Sequence, residues 1–291
     1  EIKAGFRRYL WVTCPIMLGF SLTVTDEWIS KYFASFMQPK AVSWLSYART
    51  GMRIPIAILG QAVGIASYPF LARMWAEKKY EAFTETLFLE LQRLWALGTV
   101  AAIILITHSL PMVHFMFGGG QFGAEDLEIT SDILRILGLS VFFWTLQILL
   151  ARGFYAMGRT CLPSIVGSVL SVLAIPLYYA LGKKLSFYGL ALAGGIGVSV
   201  YRLVLWVLLR RNLQKFPSSL PLKAFLNFCL AWCVPLVLMG VLAQLLAGLG
   251  VYRGTRLSAF LDISLVCAVL GGVTVLLLRT VFRRFSHEPL I

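Results

Sequence analysis

Two acidic and two basic side chains lie inside apolar stretches of this sequence, at spacings that suit chemistry. They are Asp26 and Glu27 in one stretch and Arg49 and Arg53 in the next. Arg49 and Arg53 are four residues apart, so a helix would stack them on one face. An ionised group inside a bilayer costs ~2.5–3.5 kcal/mol even on a lenient scale, so such groups usually face a cavity or a partner. Fixed cations in a solvated cavity are what recognition of a phosphate group requires.

Asp26 and Arg49 are expected to lie at the same depth. A short turn around Gln38, Pro39 and Lys40 joins the two stretches, so they must be antiparallel neighbours. At 1.5 Å per residue, both side chains lie ~12 Å below the surface at which the chain turns. Two interpretations are open. One is an ion pair that fixes two helices, and the other is a cationic patch lining a polar cavity, with a carboxylate as counter-ion or proton site.

Eight long apolar segments fill most of the chain. Hydrophobic residues make up 59% of the sequence and charged residues 13%, and the mean hydropathy is +0.80. A soluble domain carries about 25% charged residues, and a helix needs ~20 apolar residues to cross a bilayer core of ~30 Å. The sequence therefore predicts an all-α polytopic integral membrane protein with eight transmembrane helices. The segments are 9–34, 41–71, 84–110, 127–151, 162–181, 187–209, 222–248 and 258–280.

Most of the other charges lie near the ends of these segments. Lys and Arg accumulate on the cytoplasmic side of a membrane, and fifteen of them fall on the face that holds both chain ends, against six on the other. Both ends of this segment are therefore predicted to be cytoplasmic. Asp262, close to Arg253 and Arg256, is expected at the membrane interface. Because the basic residues are dispersed in this way, the net charge of +13 does not predict a partner nucleic acid.

The remaining motifs do not predict an enzyme, a metal site or a cofactor. Cys229 and Cys233 share a helical face, but no His or carboxylate lies near them to complete a metal site. Gly118, Gly120 and Gly123 match GxGxxG, but that fingerprint functions only between a strand and a helix. Here it lies between two apolar segments, where a flexible turn is expected. No set of residues predicts a catalytic role.

Several stretches of the sequence share their order and spacing with a known family. Residues 42–48 read Val-Ser-x-x-x-Tyr-Ala and are followed by Pro55. The further stretches are 60–62, 69–71, 116–122, 152–163 and 188–193. Together they resemble the MviN/MurJ family of lipid II flippases, within the multidrug/oligosaccharidyl-lipid/polysaccharide (MOP) exporter superfamily.

The resemblance implies an architecture. Family members have two six-helix lobes around a central cavity, followed by two helices that form a lipid groove. It implies that residues 1–215 form the six-helix C-terminal lobe, that 216–291 form the two additional helices, and that the first lobe lies outside this chain. The implied location is the bacterial cytoplasmic (inner) membrane. Implied partners are a lipid-linked glycan, membrane lipids, the N-terminal lobe of the same protein and the cell-wall synthesis machinery.

The resemblance also implies a function. A flippase of this kind moves lipid II, a peptidoglycan precursor, to the outer leaflet by alternating access. For such a function we expect Arg49, Arg53 and Thr50 to meet the pyrophosphate, and Asp26 or Glu27 to hold the arginines or take a coupling proton. The family usually has an arginine where this chain has Thr50, so the positive charge at Arg49 is shifted by ~100° around the helix.

Two alternatives stay open from the sequence. One is an exporter of another polyprenyl-linked glycan or of drugs. The other is a non-transporting membrane scaffold for cell-wall synthesis, which predicts tolerance of substitution at Arg49, Arg53 and Asp26.

Overall fold

The computed structural model describes residues 26–214, 237–248, 252 and 254–285, with the backbone alone for 61, 62 and 275–285. This part of the chain is helical, and its one β-bridge is the isolated pair Gly119 and Phe122. The helices are α1 (26–35), α2 (Ala41–Pro55), a π-helix (Ile56–Gln61), α3 (Ala62–Ala76), α4 (Tyr80–Thr107), α5 (Ser109–Phe117), α6 (Ala124–Ala156), α7 (Cys161–Leu213), α8 (Val237–Gly248) and α9 (Arg256–Phe285). The predicted all-α class is confirmed.

Within the described ranges, five helical stretches are long and apolar enough to cross a membrane. They are Ala41–Ala76, Tyr80–Thr107, Ala124–Ala156, Cys161–Leu213 and Arg256–Thr274. The chain is therefore a polytopic membrane protein. Most of the predicted first segment, much of the seventh and the predicted domain boundary at 215 lie outside the described residues, so the number eight stays a prediction.

Helix α7 holds two of the predicted segments. Its 53 residues are more than twice the ~20 that a bilayer core requires. The helix breaks at Ser186, where φ is 53° and ψ is −140°, a conformation that an L-residue adopts rarely. The predicted segments 162–181 and 187–209 fall on either side of this break.

The turn between α5 and α6 follows from its glycines and its first acidic residues. Gly119 and Gly120 adopt φ of 108° and 65°, which glycine tolerates without a steric penalty. The Gly123 N–H then donates to Asp126 Oδ2 at 3.0 Å, and this carboxylate caps the positive end of α6. The expectation of a turn at this glycine motif is confirmed.

Two apolar clusters are stacked along the helix bundle, and α6 borders both. We call them core A, which includes Leu45, Leu134 and Leu190, and core B, which includes Phe83, Leu149 and Leu205. Core A joins α2 to parts of α5, α6 and α7, and core B joins α3 to the first part of α4 and the later parts of α6 and α7.

A third cluster attaches α8 and α9 to α4. Its buried members are Ala96, Val100, Met239, Ala243, Leu246, Val266 and Leu270. Beside it, Asp262 is 2% exposed and its Oδ2 lies 3.8 Å from Nε2 of His108. The Asp262 carboxylate therefore faces a buried histidine, and its expected depth at the membrane interface stays a prediction.

Candidate functional site

Asp26 joins three helices beside core A. Its Oδ2 accepts a hydrogen bond from Arg49 Nη1 on α2 at 2.7 Å, and its Oδ1 accepts one from the hydroxyl of Tyr178 on α7. Arg49 is only 6% exposed and Tyr178 is fully buried. The pairing expected from matched depth is present, and the tyrosine adds a third member to it.

Gly194 allows the second half of α7 to close over this group. A Cβ atom at Gly194 would lie 3.0 Å from the Tyr178 hydroxyl and 3.5 Å from Arg49 Nη2. Any larger residue would therefore displace the tyrosine or the arginine. Arg49 Nε and Nη2 are buried with no hydrogen-bond partner among the described residues, so two strong donors of this guanidinium are unused.

Glu27 forms a second group on the open side of α1. One carboxylate oxygen accepts from Lys31 Nζ at 2.7 Å, one turn along the same helix. The other accepts from Arg53 Nη2 on α2. The Arg53 side chain is 52% exposed and that of Lys31 is 42% exposed. Glu27 is therefore shared between two cations that both reach solvent.

Arg49 and Arg53 do not share an environment. Four residues advance a helix by ~400°, or ~40° beyond a full turn, which places Arg49 in the interface with α1 and α7 and Arg53 on the exposed face of α2. Thr50 is also exposed, and its hydroxyl donates to the Ser46 carbonyl at 2.9 Å. Arg53 and Thr50 are therefore the members of the predicted set that a ligand can reach.

The two groups together carry an excess positive charge. Arg49, Arg53 and Lys31 face the two carboxylates of Asp26 and Glu27. In their ordinary ionisation states these five residues sum to one positive charge, and that excess lies beside the exposed face of α2. An anion is the ligand that this arrangement attracts.

A small cavity lies next to Asp26. Its volume is about 40 Å³, and a water molecule needs about 10–15 Å³ on this measure. The cavity is lined by Asp26, Ile29, Trp144, Gln147, Leu170, Ser171, Ala174, Tyr178, Gly194, Gly197, Val198 and Tyr201. Gln147 Oε1 is buried without a partner in the described structure, so the cavity suits two or three waters and is too small for a phosphate-bearing ligand.

Asp126 fixes the α1–α2 turn against α6. Both of its carboxylate oxygens lie 3.0 Å from Lys40 Nζ, and Oδ1 accepts from Trp44 Nε1 at 2.8 Å. Asp126 is 4% exposed. This contact positions the start of α2, and with it the arginines about two and three turns further along.

Sequence reasoning missed Tyr178, Gly194 and Asp126. None of them belongs to a motif, and Tyr178 lies 152 residues from its partner. A hydroxyl inside the apolar segment 162–181 was the available signal for Tyr178. No group of three metal-ligating side chains occurs in the described residues.

Known proteins resemble this chain over most of its length. The family model described as lipid II flippase MurJ matches residues 1–282. A probable lipid II flippase MurJ of Bdellovibrio bacteriovorus is 26% identical over 296 residues, covering 99% of this chain and 55% of the relative. The lipid II flippase MurJ of Burkholderia cenocepacia is 26% identical over 223 residues, covering 77% and 43%. The chain thus spans about half the length of these relatives.

Solved structures share the fold. The inward closed conformation of lipid II flippase MurJ superposes with a TM-score of 0.73 at 21% identity, covering 97% of this chain and 56% of that one. A MOP superfamily transporter from Pyrococcus furiosus gives a TM-score of 0.61 at 18% identity, covering 91% and 60%. The helix arrangement described above is that of this superfamily.

Proposed function

The chain belongs to the MurJ family of lipid II flippases, and from that premise we propose that it forms part of a flippase for lipid II. The flippase moves this polyprenyl-pyrophosphate-linked precursor from the cytoplasmic to the outer leaflet by alternating access. The observation that supports the proposal most directly is the exposed Arg53 beside Thr50, on a cluster with one excess positive charge inside a membrane lobe. The family is one of transporters, and we propose no enzymatic step.

The architecture that we propose has two lobes. Residues 1–215 form the second lobe and 216–291 the two added helices, in a bacterial inner membrane with both ends of the segment cytoplasmic. The first lobe of the same protein faces α1 and α2, where Trp28 and Tyr32 are 71% and 62% exposed. Aromatic side chains of this size pack against a neighbour or lipid rather than water. Rocking of the lobes then exposes the site to each side in turn.

Arg53 is the residue that we assign to the pyrophosphate. A guanidinium matches two phosphate oxygens and forms strong charge-assisted hydrogen bonds with them. In the structure Glu27 forms an ion pair with this guanidinium, but Glu27 is also paired with Lys31, whose Nζ lies 2.7 Å from Glu27 Oε1. Arg53 can therefore turn to a phosphate without leaving Glu27 unpaired. Thr50, one turn away on the same exposed face, supplies a hydroxyl.

Arg49 and Asp26 have a different role in this proposal. Asp26 already accepts hydrogen bonds from Arg49 and Tyr178, so its ionised form is satisfied and it serves as a counter-ion. Arg49 then fixes the position of α2 and adds a positive field without touching the substrate. Glu27, which is 20% exposed, is the carboxylate open to a coupling proton. A potential of 100 mV, worth ~2.3 kcal/mol per charge, can bias such a cycle.

The test is complementation with the full-length gene in a bacterium depleted of its own lipid II flippase. We expect rescue by the parent protein and loss of rescue for Arg53→Gln at an unchanged amount of inserted protein. Arg93→Gln is the matched control, because Arg93 is similarly exposed at 46% and also forms an ion pair, with Glu90. Both of these residues lie on α4, away from the proposed site. Full rescue by Arg53→Gln would show that the proposed phosphate contact is wrong.

A second candidate is an exporter of another polyprenyl-linked glycan. Thr50 favours it, since this exposed position usually carries an arginine in the family and a changed residue here alters the contact with the head group. Failure of the parent protein to rescue despite normal insertion, together with transport of a different lipid-linked glycan in vesicles, would favour this candidate. A scaffold role predicts instead that Arg53→Gln and Asp26→Asn both keep full cell-wall synthesis.

A further inference from the structure

The helix that carries Arg53 is interrupted just beyond it. Helix α2 ends at Pro55 and continues as a π-helix over Ile56–Gln61 before α3 begins at Ala62. Well under 1% of residues adopt this conformation, and such segments occur mostly inside α-helices at functional sites. Pro55 has no N–H for the carbonyl of Gly51, and the Ile56 N–H bonds three residues back to Arg53. The regular ladder is therefore broken at this point.

The two sides of the interruption belong to different cores. Helix α2 contributes five buried residues to core A, and α3 contributes Leu71 to core B. Inside the π-helix, Ile56 packs against core A and Leu59 against core B. The five buried residues of α2 in core A are Ala41, Trp44, Leu45, Ala48 and Met52. The irregular turn thus lies at the boundary between the two packing units.

The boundary continues through the neighbouring helices, and we call this level of the bundle the seam. On α6 it lies between Val141 of core A and Leu146 of core B. On α7 it lies between Ala193 and Tyr201, where three glycines occur. The seam comprises residues 142–145 on α6, where Phe142 packs against core B and Trp144 against core A, and residues 194–200 on α7, among them Gly194, Gly195 and Gly197. The cavity beside Asp26 opens into the seam, since Gly194 and Gly197 line it.

Within the π-helix at Gly60 and beyond it at Gly64, the chain approaches α6 through glycines. A Cβ at Gly60 would lie 2.5 Å from Ile148 Cδ1, and one at Gly64 would lie 2.7 Å from Arg152 Nε. These positions have no side chain that interlocks with α6. Before the interruption along the chain, a Cβ at Gly51 would lie 3.4 Å from Leu134 Cδ2, which is an ordinary contact. The glycines that require close approach are therefore on the core B side.

We propose that the π-helix is a hinge at which core A tilts against core B. Helix α2 moves with core A, to which Asp26 and Asp126 hold it, and α3 moves with core B. The inference rests on the proposed transport function, because alternating access needs a lobe that can change shape. Arg53 lies two residues before Pro55, so the hinge opens and closes the space directly beside the phosphate contact.

Deletion of Ala57 tests this hinge. A π turn holds one residue more than an α turn, so removing one residue lets α2 and α3 continue as an α-helix with their faces unchanged. Ala57 is exposed, so no core contact is lost. Spin labels replace Phe36 and Phe70, which are 71% and 64% exposed on opposite sides of the seam, in full-length, otherwise cysteine-free protein in proteoliposomes.

We expect two distance populations in the parent protein and one after deletion of Ala57, with transport reduced at least tenfold. Gly51→Ala, on the same helix, is the matched control and should keep both populations. A single population in the parent, or two populations after the deletion, would overturn the hinge. If the deletion variant fails to insert, Pro55→Ala replaces it. It restores the missing N–H and should shift the populations towards one state, and unchanged populations would contradict the proposal.

The distance measurement also separates this inference from the proposed function. It needs no lipid II, so two populations that depend on the π-helix would support the hinge whatever the substrate. Two populations in a parent protein that does not transport lipid II would contradict the proposed substrate alone. Normal lipid II transport with one population would contradict the hinge alone.

Discussion

The hydroxyl of Tyr178 donates to Asp26, and this one contact joins α7 to the first described helix across 152 residues. Tyr178 is fully buried, and the other oxygen of Asp26 belongs to Arg49. The tyrosine therefore completes the hydrogen bonding of a carboxylate that the membrane interior would otherwise leave half satisfied.

Tyr178→Phe should destabilise the protein. It removes the donor to Oδ1 of Asp26, whose side chain is only 17% exposed, and an unsatisfied buried polar group costs ~1–3 kcal/mol. Thermal unfolding of the full-length protein in detergent measures the effect. Tyr179→Phe is the matched control, because this neighbour is 59% exposed and should leave the midpoint unchanged. Equal midpoints for Tyr178→Phe and the parent would show that the contact contributes no stability.

Gly194→Ala should also lower stability, through the same tyrosine. The added methyl group lies 3.0 Å from the Tyr178 hydroxyl, and overpacking of this kind costs ~1–3 kcal/mol. The effects of Gly194→Ala and Tyr178→Phe should be non-additive, because Phe removes the atom that the methyl group meets. Gly197→Ala is the control, since nothing lies within 4 Å of a Cβ there. Strict additivity in the double-mutant cycle would contradict the proposed clash.

Thr50→Arg should strengthen binding of a pyrophosphate-bearing lipid without affecting folding. Thr50 is exposed on the same face as Arg53, and a hydrogen bond to a charged group contributes ~1.5–3 kcal/mol, which corresponds to about tenfold or more in Kd. Binding of lipid II to the full-length protein in detergent measures it. Ser43→Arg, on the exposed face nearer the turn, should have little effect. Equal gains for both variants would indicate general electrostatic attraction instead of a defined contact.

His108→Gln should loosen the attachment of α9. It removes the imidazole that faces the Asp262 carboxylate at 3.8 Å in a site where both are at most 3% exposed, and a buried polar group left without a polar neighbour costs ~1–3 kcal/mol. The added variant Asp262→Asn should recover part of the loss, because it removes the unpaired charge. Proteolysis and thermal unfolding report the attachment of α9. A double variant less stable than His108→Gln alone would refute this pairing.

Local geometry made part of the site predictable. The Asp26–Arg49 pair could be inferred because a short turn fixes the depths of two adjacent helices, and rise per residue then sets which side chains meet. The same sequence does not show which side of α2 is buried. That side depends on α7, which lies more than a hundred residues away, so Arg49 and Arg53 looked equivalent although one is buried and the other exposed.

The sequence did not reveal which group Asp262 faces. Its neighbours Arg253 and Arg256 suggested a place at the membrane interface, and in the structure its carboxylate faces His108 at the end of α4. The end of α9 that carries Asp262 packs against α5, and this tertiary contact decides the environment of the carboxylate. The two segments of α7 were predictable because Gly182, Lys183 and Lys184 interrupt the apolar run, and the helix breaks at Ser186, two residues further along.

Asp126 has a consequence for inhibition. Since Lys40 and Trp44 converge on this one carboxylate, a single side chain ties together the corner where α2 and α6 begin, and α6 extends from that corner past both cores. A compound that binds this corner would contact both helices at once, at a place separate from the proposed phosphate contact at Arg53.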